Sequence, residues 1–589
     1  MVTDKLKKLN VQLLKDMQNK ELDELILDMK SFMICSTSKT GGHIGANLSS
    51  LEISVALHRV FDSPNDKILF DVGHQAYAHK IVTGRADRFS TLNSYMGMAR
   101  FVEQRESEHD IIDVSHAGTS IPIASGIAKS FHDNKKNNFA IAVIGDGCIV
   151  EGMSFEGLNF GVQNNLPLLI IFIDNSWAIA PNVGGILKMT TGNNWQEKSK
   201  SFFESLGYDY YCEQDGHDVH KLESTLKTIK NNLKPTVFHV KTVKGNGLKI
   251  AEEHPYRMHY SAPFNSETGE GANPSVVGKT YAGEGADEIL KLMEEDKNLY
   301  VITPATPYSN NLDEIIKRFP DRAFDVGMAE QQAVGMAVGL ALEGKKVICC
   351  FQSTFMQRAF DQIYHDAACM RLPIIFLSAR TGFAGYDSPT HHGVMDISYL
   401  RCIPNLNIVF PVDTNDVKKT IRRCVENASL SKNPTVILHQ YDPISEPEDF
   451  VKEINDSGIE KYSVGNDGII FTLANSLSKG KLLQDSLKSK KNLNFSIFLI
   501  KNIKPFNNNE FLNLIKNVHN IVCIEEHTLP GGLGSILAEV LSDNKIEKNL
   551  IRIGIDDKFI NAGNNIECSK EAGLDQDSIT EKVTSQLKN

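Results

Sequence analysis

Apolar and polar positions along this chain fall into three blocks in which strand-like runs alternate with helical spacing. That is the pattern of α/β layers built on parallel sheets. In the first block, FAIAVIGDG (139–147) and LPLLIIFIDN (166–175) are continuous apolar runs that end in Gly or Asp/Asn turns. Strands look this way when a sheet is covered on both faces. Gly152 to Gln163, between them, has helical spacing, so the stretch predicts a βαβ unit. Residues Lys244 to Gly278 are rich in Gly, Pro, Asn and Ser with little periodicity, and read as a linker. The second block carries strands at KKVICCF, LPIIFLSA and NIVFP and a helix over Ala329 to Glu343. The third has strands at GIIFTLA, FSIFLI and NIVCIEE, then a turn, PGGLGS, entering a helix. The expectation is three doubly wound α/β domains over residues 1–278 (linker 244–278 included), 279–445 and 460–589, with the polar stretch SEPEDFVKEINDSG before the last.

Length agrees with several cores, because 589 residues are too many for one. A composition of 41% hydrophobic and 23% charged residues is that of a soluble globular chain and excludes disorder. The net charge of −11 argues against nucleic-acid or anionic-membrane partners, which need a surplus of Lys and Arg, but permits a small anionic ligand. MVTDKLKKLN has no apolar core, so no secretion leader is expected, and the apolar run Leu166 to Ile173 is too short to cross a bilayer. Ten cysteines form no CxxC pair and no zinc spacing. Cys349 and Cys350, adjacent in VICCF, read as buried small hydrophobes in a reducing compartment, and a cytoplasmic location is expected.

Chemistry enters at the ends of the first two strands. Gly145-Asp146-Gly147 follows one buried strand and Asp174-Asn175 ends the next. Neighbouring parallel strands would set Asp146 and Asn175 side by side on one rim. A carboxylate oxygen, an amide oxygen and a main-chain carbonyl suit magnesium, which keeps phosphate oxygens and water as further ligands. The ion would bridge a diphosphate. A lone GDG turn is common; the pair of strand ends is a thiamine-diphosphate fingerprint. A dinucleotide fold is the rival, but no G-x-G-x-x-G opens a helix in the first block, and PGGLGS lacks that spacing.

Longer segments carry a resemblance over nearly the whole chain: GGHIGANLSSLEISVALHRVF, DVGHQAYAHK, DVSHAGTS, GDGCIVEGMSFEGLN, DNSWAIAPNVGG, GMAEQQAVGMAVGLALEG, STFMQRAFDQ, THHGVMDISYLRCIPN and EEHTLPGGLGS. Together they resemble the 1-deoxy-D-xylulose-5-phosphate synthase family, within the transketolase-like group of thiamine-diphosphate enzymes. The resemblance implies a transketolase-like thiamine-diphosphate-binding fold, a homodimer, and a third domain that serves mainly assembly. It implies decarboxylative condensation of pyruvate with glyceraldehyde 3-phosphate, giving 1-deoxy-D-xylulose 5-phosphate and CO2 for isoprenoid and thiamine synthesis.

Residue by residue, it implies that Asp146, Asn175 and the main chain of Trp177 hold Mg2+. Gly145, Gly147, Gly118, Ser120, His74 and Phe355 approach the cofactor. Glu330 hydrogen-bonds its pyrimidine nitrogen, which calls for a buried carboxyl of raised pKa. His43, His74, His259 and His391 line the active site as groups that titrate near neutrality. Asp387 orients substrate, and Arg358 and Arg380 hold the phosphate of the aldehyde with planar forks.

Four positions depart from the family pattern. Its R-Y-P-R-G turn is replaced by TVILHQYDPIS, with Leu438, His439, Gln440 and Tyr441 and no arginine; Gln352 stands where a tyrosine is usual, His392 where a glutamine is, and Glu151 is more like transketolase. Either His439 or another cation replaces the lost phosphate contact, or the chain is a thiamine-dependent ketol or acyloin transferase with another, unphosphorylated acceptor. A catalytically inert binding subunit is the reading from a third class; the intact Asp146, Asn175 and Glu330 oppose it.

Overall fold

The computed structural model describes residues 3–271, 280–440 and 457–587. Tyr441, most of the polar stretch before the third block and the end of the expected linker therefore lie outside the described residues. The chain divides into two compact units, one of Met1–Ser275 with Gly327–Ala329 and one of Val276–Val326 with Glu330–Asn589.

The first unit is built on a five-stranded sheet of β1 (Lys67–Phe70), β2 (Ala140–Gly145), β3 (Leu168–Asp174), β4 (Asp209–Glu213) and β5 (Thr236–Lys241), in the order β1-β2-β3-β5-β4 and parallel throughout. Why β2 and β3 read as unbroken apolar runs is plain from their two faces. Ile141, Val143, Leu169, Ile171 and Ile173 pack into one core, while Ala142, Ile144, Leu168, Ile170 and Phe172 pack into another. Each fully buried Ile, Leu or Phe contributes about 1.5–3 kcal/mol. Helix Ile44–Val60 is buried along nearly its whole length.

The expected linker is folded over its described part, which corrects that expectation. Helix Lys249–Glu253 interrupts it, and Ala251, Met258 and Phe264 are core residues. Its backbone is stitched to the start of the buried helix: Gly245 N donates to Gly45 O at 2.9 Å, and Gly42 and Ser261 exchange bonds of 2.8 and 3.0 Å.

The second unit holds two sheets. Strands β6 (Leu299–Thr303), β7 (Ala323–Asp325), β8 (Lys346–Gln352), β9 (Ile375–Thr381), β10 (Asn407–Val409) and β11 (Thr435–Gln440) are mutually parallel. The other is made of β12 (Ile459–Ser463), β13 (Gly468–Thr472), β14 (Phe495–Ile500), β16 (Asn520–Thr528) and β17 (Asn549–Ile555), with only β12 antiparallel. Between β14 and β16 in sequence, β15 (Asn502–Lys504) pairs antiparallel with β10 of the first of these sheets, so the orders are β15-β10-β11-β9-β8-β6-β7 and β12-β14-β13-β16-β17. Helix Glu330–Leu342 lies where a helix is expected, and PGGLGS leads into helix Leu533–Asp543.

Candidate active site

In the first unit, Gly145 of β2 is paired with Ile173 of β3, so the two strand tips end together. Asp146 Oδ2 accepts the main-chain N–H of Asn175 at 3.1 Å and of Ser176 at 2.5 Å. The side-by-side placement expected for Asp146 and Asn175 is what the fold contains. The turn is bent, with Ser176 at φ +66°, a conformation that costs a non-glycine residue about 1–3 kcal/mol. Asn175 Nδ2 donates to Ser49 Oγ at 3.1 Å and its Oδ1 accepts Trp177 N–H at 3.0 Å. That leaves the second lone pair of Oδ1. A Cβ on Gly147 would lie 2.6 Å from the Ala178 Cβ, whereas one on Gly145 would meet nothing within 4 Å.

Asp146 is buried, and burial together with the Asp174 carboxylate pushes its pKa well up. Asp174 is held low despite its burial, because His239 and Lys241 face it at 3.0 and 2.5 Å. Among the described residues no cluster of three or more His, Cys, Asp or Glu forms a metal cage. Lys244 crosses the same turn: its Nζ donates to Ala178 O at 2.6 Å and lies 5.7 Å from the Trp177 ring centroid. Burial lowers its pKa to about 7, against the pull of Asp146.

Beside this rim stand three histidines. The ring centroids of His43 and His74 are 5.2 Å apart, those of His43 and His259 5.5 Å, and those of His74 and His259 5.3 Å. Burial lowers the His74 pKa to about 3 and the His259 pKa well below its usual value, with Lys244 adding to both. The Nδ1 atoms of His74 and His259 are buried without a hydrogen-bond partner among the described residues. Asn47 sets the cluster. Its Nδ2 donates to His43 O at 2.8 Å and His74 O at 2.7 Å, and its Oδ1 accepts Tyr77 N–H at 2.7 Å. Before His74, Val72 sits at φ +60°, an outlier for a β-branched residue.

Gly118 and Ser120 are organised by Asp71. Gly118 N donates to Asp71 Oδ1 at 2.8 Å, and Ser120 gives both its N–H and its hydroxyl to Oδ2, at 3.0 and 2.7 Å. Ser120 is fully buried, so its hydroxyl is spent inside the loop.

The second unit holds the remaining expected residues. Glu330 opens helix Glu330–Leu342 and is buried, with Oε2 lacking a hydrogen-bond partner among the described residues. Burial raises its pKa, and Arg358 opposes the rise. Phe355 meets His391 edge-on at 5.5 Å, and His391 Nδ1 is 3.4 Å from Ser388 Oγ. Arg380, at φ +68°, donates to Asp387 Oδ2 at 3.2 Å and lies 5.6 Å from the Tyr308 centroid.

Of the departures, His439 is corrected as a candidate cation. It is buried at the end of β11, and burial lowers its pKa to about 4, so it is neutral near pH 7. Gln352 is buried and accepts a bond from Ser309 Oγ at 3.3 Å. His392 faces backbone: Nδ1 accepts Ala384 N–H at 2.9 Å and Nε2 donates to Asn561 O at 3.2 Å. Asn47, Asp71 and Lys244 are the residues missed from sequence; the signal was their place inside GGHIGAN, at the start of DVGH and in the KGNG turn after β5.

A family model described as 1-deoxy-D-xylulose-5-phosphate synthase matches residues 6–200 and 190–242. Models for the transketolase pyrimidine-binding domain and the transketolase C-terminal domain match 282–440 and 460–579. Proteins named 1-deoxy-D-xylulose-5-phosphate synthase from Alkaliphilus oremlandii, Methylacidiphilum infernorum and Clostridium acetobutylicum are each 35% identical. The alignments cover 97%, 98% and 97% of this chain and 97%, 96% and 98% of those proteins.

Proposed function

The chain belongs to the 1-deoxy-D-xylulose-5-phosphate synthase family, and from that premise we propose that it condenses pyruvate with glyceraldehyde 3-phosphate. The products are 1-deoxy-D-xylulose 5-phosphate and CO2, and the enzyme is a thiamine-diphosphate-dependent transferase of isoprenoid and thiamine-precursor synthesis. One observation carries the cofactor reading: a buried carboxyl oxygen of Glu330 with no hydrogen-bond partner among the described residues. Burying a polar atom without a hydrogen bond is costly unless a ligand supplies one.

Thiamine diphosphate supplies a nucleophilic carbon and an electron sink. Glu330 holds the proton it shares with the pyrimidine nitrogen, and its raised pKa keeps that proton available. Asp146, Asn175 and the main chain of Trp177 would hold Mg2+, whose charge would offset the buried Asp146 carboxyl. Gly145 and Gly147 let the diphosphate approach the turn. His74 and His259, whose pKa values burial lowers, are neutral at pH 7 and so donate to or accept from a carbonyl oxygen without adding charge. On the acceptor side Asp387 and His391 orient the aldehyde, and Arg358 and Arg380 meet its phosphate.

The domain bounds 1–278, 279–445 and 460–589, a homodimer and a cytoplasmic location belong to the same proposal. No helix among the described residues is long and apolar enough to cross a membrane. Sedimentation at micromolar concentration tests the dimer.

A second reading has its own support: Leu438, His439 and Gln440 offer no cation, which favours an unphosphorylated acceptor aldehyde. The test is product analysis with pyruvate and glyceraldehyde 3-phosphate beside glyceraldehyde. Turnover with the phosphorylated aldehyde is expected, and turnover with glyceraldehyde alone would hand the site to the second reading. Thiamine diphosphate with magnesium at 100 times its Kd should stabilise the fold by about 2.7 kcal/mol; an unchanged melting point would reject the cofactor. Arg358→Ala should raise the KM of the phosphorylated acceptor roughly 10- to 100-fold while pyruvate's stays put, and equal rises would remove Arg358 from the acceptor site.

A further inference from the structure

Asp387 and His391 sit on a loop whose ends are tied to each other. Gly382 N donates to Gly393 O and Gly393 N to Gly382 O, both at 2.8 Å. The neck of this loop is held from another sheet of the same unit. Phe383 N donates to Glu526 Oε1 at 2.8 Å, and Lys479 Nζ donates to Glu526 Oε2 at 2.7 Å. Glu526 lies near the tip of β16, and both it and Lys479 are buried. The fit is close, because a Cβ on Gly382 would stand 2.5 Å from Glu526 Oε1. Farther round the loop, Gly563 N donates to Gly385 O at 3.2 Å and Tyr386 Oη to Glu567 Oε2 at 2.9 Å. Thr528 N, also from β16, donates to Val394 O at 2.7 Å just beyond the neck.

A carboxylate buried with its lysine costs several kcal/mol of desolvation before any return. An apolar pair would pack the same place without that cost, so stability alone is a weak reason for the arrangement. What the pair does supply is a charged acceptor at one fixed point, aimed at one backbone N–H of the loop.

We propose that Glu526, braced by Lys479, is a positioning residue for the aldehyde acceptor: it sets the 382–393 loop so that Asp387 and His391 present one geometry to that substrate. The third block of the chain thereby takes part in acceptor recognition as well as assembly. The inference rests on the assignment of Asp387 and His391 to the acceptor under Proposed function.

The experiment measures initial rates of the holoenzyme with each substrate varied in turn, for Glu526→Ala, Glu526→Gln, Tyr386→Phe and, as reference, Asp387→Ala. Glu526→Ala is expected to raise the acceptor KM roughly 10- to 100-fold and leave the pyruvate KM unchanged. Glu526→Gln keeps a carbonyl oxygen for Phe383 N–H and is expected to recover most of the loss. Should Glu526→Ala not fold, the acceptor-selective rise is expected in Tyr386→Phe. Equal rises in both KM values, or a lowered melting temperature with unaltered KM values, would overturn the proposal. A loss in Asp387→Ala with none in the Glu526 and Tyr386 variants defeats the clamp alone. No loss in Asp387→Ala defeats the acceptor assignment, and the clamp with it.

Discussion

Glu330→Gln should bind thiamine diphosphate within a few-fold of the parent protein and yet lose turnover by roughly 10²- to 10⁴-fold. The two quantities separate because the side chain has two uses. Its volume and buried place at the start of helix Glu330–Leu342 shape the site, and glutamine keeps both. Its acidic, transferable proton is what glutamine lacks. Burial raises the Glu330 pKa and Arg358 restrains it, so the acid form persists to higher pH than in an exposed carboxyl. Glutamine still donates an N–H to a ring nitrogen but cannot pass a proton to it. Isothermal titration with the cofactor and magnesium, beside single-turnover rates with pyruvate, measures the separation. Equal losses in affinity and rate would make Glu330 a packing residue.

How much of this site could be read from sequence depended on what kind of signal each residue leaves. Asp146 and Asn175 were legible because burial on both faces writes β2 and β3 as unbroken apolar runs, and the turn residues mark where each strand stops. Glu330, Phe355, Arg358 and His391 stand out in sequence as parts of longer motifs, and their contacts with cofactor and substrate remain the proposal made above. The stretch after Lys244 was misread because glycine there reports close approach: a Cβ on Gly245 would lie 2.5 Å from Ala251 Cβ. Composition does not distinguish crowding from freedom. Asn47 and Asp71 were missed because their meaning lies in partners far along the chain, His74 O for one and Ser120 for the other. Strand β15 was missed for a similar reason, since three residues gain strand character only by pairing antiparallel with β10. His439 looked like a spare cation in sequence, and only its burial shows it to be neutral.

Asp146→Asn should weaken cofactor binding roughly 100-fold, about 2.7 kcal/mol, while the ligand-free protein melts no lower than the parent. The opposite signs follow from one environment. In the free protein the carboxylate is buried, beside Asp174, with main-chain N–H groups of Asn175 and Ser176 as its donors. An asparagine oxygen accepts those same two bonds, so the bend at Ser176 survives and the desolvation of a charge is relieved. Once a divalent ion and a diphosphate are present, the lost negative charge is the one that balanced the metal, and affinity falls. Asp146→Ala removes the acceptor as well, so it should lose affinity and destabilise the free turn together. Melting curves with and without thiamine diphosphate and magnesium separate the two variants. If Asp146→Asn binds the cofactor as tightly as the parent, the ion is held elsewhere and the tips of β2 and β3 are only a turn.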